Sequence, residues 1–297
     1  MNRRTALTSL AASTAMAAQS TPVAKASSPS FIETDDGARL YIRDWGSGAP
    51  ILFVHSWAVN LDLWQYQMVP LSAHRMRCIA FDRRGHGRST EPGHGYTVDR
   101  LADDLAAVID QLDLKNLTLV GHSLGCCEIV RYLSRYGAER VARIALTAPT
   151  MPYYLKSADH PDGLITEERS KLVRDRMAAD FPGWIAENAR PFFVPETSQA
   201  LVDWGAWMMA QTPLKVALDC NRIVVETDYR AELARIRVPA LVIHGDKDVS
   251  APLDLTGRRT AQLIPGSRLV VYEGAPHGLM FTHRERLNAD LLAFVKS

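Results

Sequence analysis

The sequence has no surplus of either charge. Thirty-four Lys and Arg stand against 33 Asp and Glu, a net charge of +1. That leaves no electrostatic footprint for nucleic acid or for an anionic membrane surface. Cysteine is scarce: Cys78, Cys126, Cys127 and Cys220 show no C-x-x-C or metal-ligand spacing. Cys126 and Cys127 are neighbours, too close for an ordinary disulfide, so all four are expected as buried free thiols. A phosphate-binding loop, a dinucleotide fingerprint and a zinc signature are all missing, so neither a cofactor nor a metal is implied. Long apolar runs are missing too. The stretch from Ala6 to Ala18 is rich in Ala, Ser and Thr, too weak and short to span a membrane, and no stable anchor is expected.

That stretch has another reading. Arg3-Arg4 precedes it and is followed by Leu7, and Ala15-Met16-Ala17 offers a small-residue exit, the layout of an export signal resembling the twin-arginine type. Ala6 and Thr8 depart from that pattern, since Phe and Lys are favoured at their places. Ser20 to Ser30 reads as a linker. Residues 1–30 are therefore expected to stand outside the fold and to direct export. The remaining chain, within a sequence of 297 residues that is 47% apolar and 23% charged, is long enough for one α/β domain with an insertion.

What is present is organised around Leu117-Thr-Leu-Val-Gly121-His-Ser123-Leu-Gly125. A short apolar run breaks into G-x-S-x-G and a helical pattern follows, the context in which that motif forms a nucleophile elbow. Glycines flank a turn too tight for Cβ atoms, and Ser123 is expected in a strained backbone conformation that lifts its hydroxyl toward a substrate. The helix N-terminus below it offers free N–H groups to a developing oxyanion.

Alternation of strands and helices surrounds this motif. Strands are expected at 31–34 and 39–44 as a hairpin, then at 51–55, 78–82, 117–120, 144–147, 240–244 and 269–272. The later ones are continuously apolar, as parallel strands covered on both faces must be. Helical patterns lie at 63–71, 98–112, 126–136, 253–263 and 287–295. The result is a mostly parallel, doubly wound sheet of eight strands in an α/β class. Residues 31–150 and 230–297 form this core. Residues 151–229 carry only helical patterns, such as 167–181 and 214–225, with many large apolar residues, and read as a helical cap over the strand ends. Trp204, Trp207 and Met208 are expected to face a substrate from there, and Ser56 from the core.

A serine hydroxyl needs a base to take its proton and an acid to orient that base. At such elbows the acid and then the base follow the serine in the chain. His277, in a Pro-His-Gly loop just past a strand, is the expected base. The acid is Asp248 or Asp246, both past the strand ending at His244; Asp248 lies nearer the histidine loop and is preferred. His122, beside Ser123, should point elsewhere, either packing or supporting the site from behind. Two N–H donors are needed for the oxyanion: Leu124, directly after the serine, and Trp57, in the loop after His55.

His55-Ser-Trp57, Asp82-Arg-Arg-Gly-His-Gly-Arg-Ser89, Gly121-His-Ser-Leu-Gly125, His244-Gly-Asp-Lys-Asp248 and Pro276-His277-Gly278 together resemble the α/β-hydrolase superfamily. More narrowly they are similar to its cofactor-free haloperoxidase, perhydrolase and aryl-esterase group, which also holds lactonases and a lactam hydrolase. The resemblance runs from Phe31 to the C-terminus and is weakest in the cap. It implies an α/β-hydrolase fold, a Ser123–Asp248–His277 triad, Trp57 and Leu124 as oxyanion donors, and a small ester or lactone substrate. Perhydrolysis and amide or lactam hydrolysis are the alternatives it carries. Three departures stand out. The group usually has His-Gly-Trp where this chain has Ser56; many perhydrolase-like members have Pro where it has Ala58; and Cys126-Cys127 replaces the usual glycines.

Overall fold

A computed structural model describes residues 29–297; the expected export signal and most of its linker lie outside the described residues. Eight strands form one sheet: β1 (Phe31–Glu33), β2 (Arg39–Gly46), β3 (Ala49–Val54), β4 (Met76–Phe81), β5 (Leu117–His122), β6 (Val141–Thr147), β7 (Ala240–Gly245) and β8 (Arg268–Tyr272). Their order is β1-β2-β4-β3-β5-β6-β7-β8. The pairs β1–β2 and β2–β4 are antiparallel and every other pair is parallel. Strand β3 thus has β4 on one side and β5 on the other, so the chain leaves their C-terminal ends in opposite directions. A crevice opens at such a switch point, and ligands bind there in open α/β sheets. The loops after β3 and β5 carry Trp57 and Ser123.

Helices cover both faces, which is why β5 and β7 are buried at every position. On one face lie α2 (Val98–Gln111), α3 (Leu124–Tyr136), α8 (Arg230–Leu233) and α9 (Gly257–Leu263). Helix α2 starts where the Thr97 hydroxyl accepts the Arg100 N–H, and buries Leu101, Leu105, Val108 and Ile109 at helical spacing. Each such side chain contributes about 1.5–3 kcal/mol. Helices α1 (Gln65–Ala73), α10 (Leu279–Thr282) and α11 (Arg284–Lys296) cover the other face, with Met68, Leu71, Leu287 and Leu291 fully buried.

Between β6 and β7 the chain forms α4 (Glu167–Ala179), α5 (Phe181–Ala189), α6 (Gln199–Ala210) and α7 (Leu214–Glu226), besides α8. The pattern at 167–181 is not one helix. Asp180 ends α4 and caps α5, accepting the Gly183 N–H at 2.9 Å, with Pro182 in the first turn. Proline lacks the N–H that a continuing helix would need there. No helix among the described residues is long and apolar enough to cross a membrane.

Candidate active site

Ser123 stands between β5 and α3 with φ 54° and ψ −117°, a conformation that costs an L-residue energy and is held by its surroundings. The neighbouring glycine explains the hold. A Cβ on Gly125 would lie 2.3 Å from the Val54 carbonyl oxygen and 2.9 Å from that of His55. The first turn of α3 therefore rests directly on the backbone of the β3 loop.

His277 meets Asp248. Its Nδ1 donates to Asp248 Oδ2 at 2.6 Å, and both residues are buried. With Nδ1 committed, Nε2 is the nitrogen left for a serine, and Ser123 and His277 line the same cavity. Asp248 Oδ1 accepts the N–H groups of Ser250 at 2.9 Å and Ala251 at 2.7 Å. Burial pushes this carboxyl up, but the charge of His277 and hydrogen bonds from His244 and His277 outweigh it and hold it well below the ordinary range. Asp246 is exposed and its Oδ1 accepts the Gly274 N–H at 2.7 Å, a turn closure. Of the two acids, Asp248, the preferred one, is the one that meets the histidine.

Two histidines brace this pair. His244 was legible only as the end of β7. Its Nε2 donates to the Ala251 carbonyl at 2.7 Å and lies 3.2 Å from Asp248 Oδ2. His122 takes the supporting place: its Nε2 bonds the His277 carbonyl at 3.0 Å, and the two rings lie 4.6 Å apart. Burial, then the charge of His277, pushes His122 well below the usual histidine range.

The N–H groups of Trp57 and Leu124 find no backbone acceptor among the described residues. Leu124 is the first residue of α3, where N–H groups have no carbonyl one turn back. The Trp57 indole donates to the Ala217 carbonyl of α7 at 2.7 Å and meets Trp184 of α5 edge-on at 5.5 Å, tying the loop to the helices above it. Ser56 is buried, lines the cavity and stays outside the positive-φ region, so its Cβ needs no strained turn. Ala58 takes φ 53°, a value closed to proline.

The cavity holds about 380 Å³, and among the described residues no Lys, Arg, Asp or Glu lines it. Met208, one of the three cap residues expected to face a substrate, reaches it. Trp204 and Trp207 do not, which corrects that expectation. Helix α6 turns Gly205, Met208 and Met209 toward the cavity, a stripe of helical spacing. Trp207 falls on the far side and is 60% exposed, whereas Trp204 packs against Tyr66 and Phe281. Phe192 was missed; its carbonyl accepts the Gly278 N–H at 3.0 Å and its ring lies 5.5 Å from that of His277. All four cysteines are free and buried. Burial, and then the neighbouring thiol, pushes Cys126 well above the ordinary thiol range, and burial carries Cys127 to about 11, so the helix N-terminus does not activate them.

Residues 49–284 match the model of the alpha/beta hydrolase fold family. A non-heme chloroperoxidase of Streptomyces lividans is 38% identical over 281 residues, covering 90% of this chain and 99% of that protein. A bifunctional esterase/perhydrolase of Acinetobacter calcoaceticus is 35% identical over 280 residues, with the same coverage of both. Among solved structures, a bromoperoxidase from Bacillus anthracis superposes with a TM-score of 0.87 at 33% identity, covering 90% of this chain and 99% of that one. With a switch-point crevice, a serine on a strained strand–helix turn and relatives of this likeness along nearly their whole length, this protein is a hydrolase of the α/β-hydrolase fold family.

Proposed function

We propose that the protein cleaves small, uncharged carboxylic esters or lactones through an acyl-enzyme. One observation carries this: a buried Asp248–His277 pair at the wall of an uncharged, mostly apolar cavity that Ser123 also lines. In this reading His277 Nε2 takes the Ser123 proton as Oγ attacks the substrate carbonyl. The oxyanion is held by the N–H groups of Trp57 and Leu124. The collapsing tetrahedral adduct expels the alkoxide, to which His277 returns the proton. Water, deprotonated by the same nitrogen, then releases the acid and restores Ser123. A charged substrate would enter the cavity without a counter-ion, at a large desolvation cost.

The relatives' names favour a second reading, in which hydrogen peroxide replaces water in the second half-reaction and a peracid leaves. Ala58 speaks for hydrolysis, because its φ of 53° gives the loop a path that the proline of perhydrolase-like members cannot follow. The test is a rate panel of p-nitrophenyl acetate, butyrate and octanoate, a γ-lactone and a δ-lactone, each with water and with added peroxide. Every rate is repeated with Ser123→Ala. Turnover of at least one substrate that vanishes in the variant supports the reading. A silent panel together with no labelling of Ser123 by a phosphonate would overturn it.

A further inference from the structure

Arg83 does not touch the cavity, yet every nitrogen of its guanidinium is committed, one of them to Ser56, which lines it. It follows Asp82 in the loop after β4 and is fully buried. Nη2 donates to the His55 carbonyl at 2.7 Å and Nη1 to the Ser56 carbonyl at 3.0 Å. Nε donates to Glu128 Oε1 at 2.6 Å, and Glu128 lies on α3 just over one turn beyond Ser123. The Arg83 main-chain N–H donates to His55 Nε2 at 2.9 Å. That fixes the His55 tautomer: the proton is on Nδ1, which donates to the Ser56 carbonyl at 2.8 Å. The Ser56 carbonyl thus accepts two hydrogen bonds from the same side.

A trans peptide carries its C=O and the following N–H in opposite directions. Pulling the Ser56 carbonyl into the buried Arg83 side therefore turns the Trp57 N–H the other way. Ser56, Trp57 and Ser123 all line the cavity, and the Trp57 N–H has no other acceptor among the described residues. The same guanidinium grips α3 through Glu128, and the first N–H of α3 is that of Leu124. We propose that Arg83 is a positioning residue that aims the Trp57 N–H and, through Glu128, fixes its spacing to the Leu124 N–H, so that the two donors converge on one oxygen atom. This rests on the acyl-enzyme reading above.

A planar, forked, permanently charged group suits the task. Three acceptors on two elements are engaged by donors whose relative angles cannot change, which the single ammonium of lysine does not reproduce. Glu128 is fully buried and its Oε2 finds no partner among the described residues. The pair is thus set where it holds backbone in place, not where solvent could share it.

Removing one charge alone strands the other in the core, so the test uses two milder changes. Arg83→Lys keeps a cation opposite Glu128 but loses the fork. The double variant Arg83→Gln with Glu128→Gln removes both charges at similar volume. For each, kcat and KM are measured with p-nitrophenyl butyrate per phosphonate-titrated site, beside the inhibition constant of a phenylboronic acid, which forms a tetrahedral adduct on the serine. Loss of one oxyanion donor lowers kcat by about 10²–10³. The expectation is a kcat lowered by at least about tenfold in both variants, with KM within about threefold and boronate affinity falling in parallel. A purely structural role would lower the titrated fraction and leave kcat per site unchanged. In the parent, boronate should move the Trp57 and Leu124 amide resonances downfield. An unmoved Trp57 resonance overturns the proposal even if neither variant folds, as does a kcat per site within about threefold of the parent in a folded variant. If the parent itself shows no turnover dependent on Ser123, the acyl-enzyme reading fails instead.

Discussion

Replacing Asp248 by Asn tests the site at its most constrained point. Four donors face the carboxylate: the N–H groups of Ser250 and Ala251 on Oδ1, and the rings of His277 and His244 on Oδ2. An amide offers one oxygen and one NH₂. If the NH₂ faced Ser250 and Ala251, two backbone donors would be opposed, and neither can change. The other orientation wins, with the NH₂ facing the two rings. His244 cannot yield, because its Nε2 proton is also held by the Ala251 carbonyl at 2.7 Å; that opposed contact costs about 1–3 kcal/mol of stability. His277 can yield, by moving its proton to Nε2 and accepting on Nδ1. Nε2 is then unable to take a proton from Ser123. The wrong tautomer lowers kcat by about 10³–10⁴, equivalent to roughly 4–5.5 kcal/mol of barrier. The assay is steady-state hydrolysis of p-nitrophenyl butyrate beside thermal melting. A folded Asp248→Asn protein retaining a tenth of the parent's kcat would refute this account, and Asp246→Asn should leave kcat unchanged. The acid limb of stability gives a second check. The Asp248 carboxyl is held below its ordinary range, so its contribution is present above the unfolded pKa and is lost as pH falls. Melting curves of the Asn variant should accordingly decline less steeply in acid.

Other groups give further outcomes. Burial and the charge of Arg83 lower His86 to about 3, so the unfolded chain takes up a proton near 6.5 that the folded one refuses, and stability is lost as pH falls through that window. His86→Asn keeps a donor for the Arg84 carbonyl, now met by Nδ1 at 2.9 Å; from about pH 7 to about pH 5 urea melts should show it losing about 2 kcal/mol less than the parent. Trp57→Phe removes the indole bond to Ala217, and denaturation should show a loss of about 1 kcal/mol with a raised KM as the helices above the cavity loosen. Ser56→Gly alters a wall of the cavity without relieving backbone strain, so relative rates on acetate, butyrate and octanoate should change while Tm stays within a few degrees; equal profiles would count against a role for that hydroxyl.

Most of the sheet was legible because its strands are buried on both faces and read as unbroken apolar runs between turn residues. The elbow was legible for a different reason: G-x-S-x-G describes backbone that must pass within van der Waals contact of β3, and the contact Gly125 makes with Val54 leaves room for no other residue. His277 and Asp248 followed from their places past strand ends. What stayed hidden were side-chain contacts that neither a motif nor a place past a strand end announces. His244 looked like the last residue of a strand, and only the turn that brings Asp248 back against it shows its use. Arg83 and Glu128, 45 residues apart, show their pairing only once both are found in the core.

The helical insertion marks the limit of pattern reading from the other direction. Its large apolar residues announce a buried surface but not which surface, since packing among helices and lining a cavity make the same demand for volume and apolarity. On α6 the decision is made by helical phase. Gly205 lets the Phe193 ring come within 2.9 Å of where its Cβ would stand, which seats the helix with Met208 inward and Trp207 outward. Trp204, one position before that glycine, is turned onto Tyr66 and Phe281 instead. The sheet dictates where chemistry can occur because backbone geometry leaves it few alternatives. The shape of the space above Ser123 is set by side-chain contacts of this kind, which are numerous, individually weak and free to change without moving the serine, the histidine or the aspartate. Substrate preference should therefore shift readily with changes such as Gly205→Ala, while the dependence of turnover on Ser123, Asp248 and His277 stays fixed.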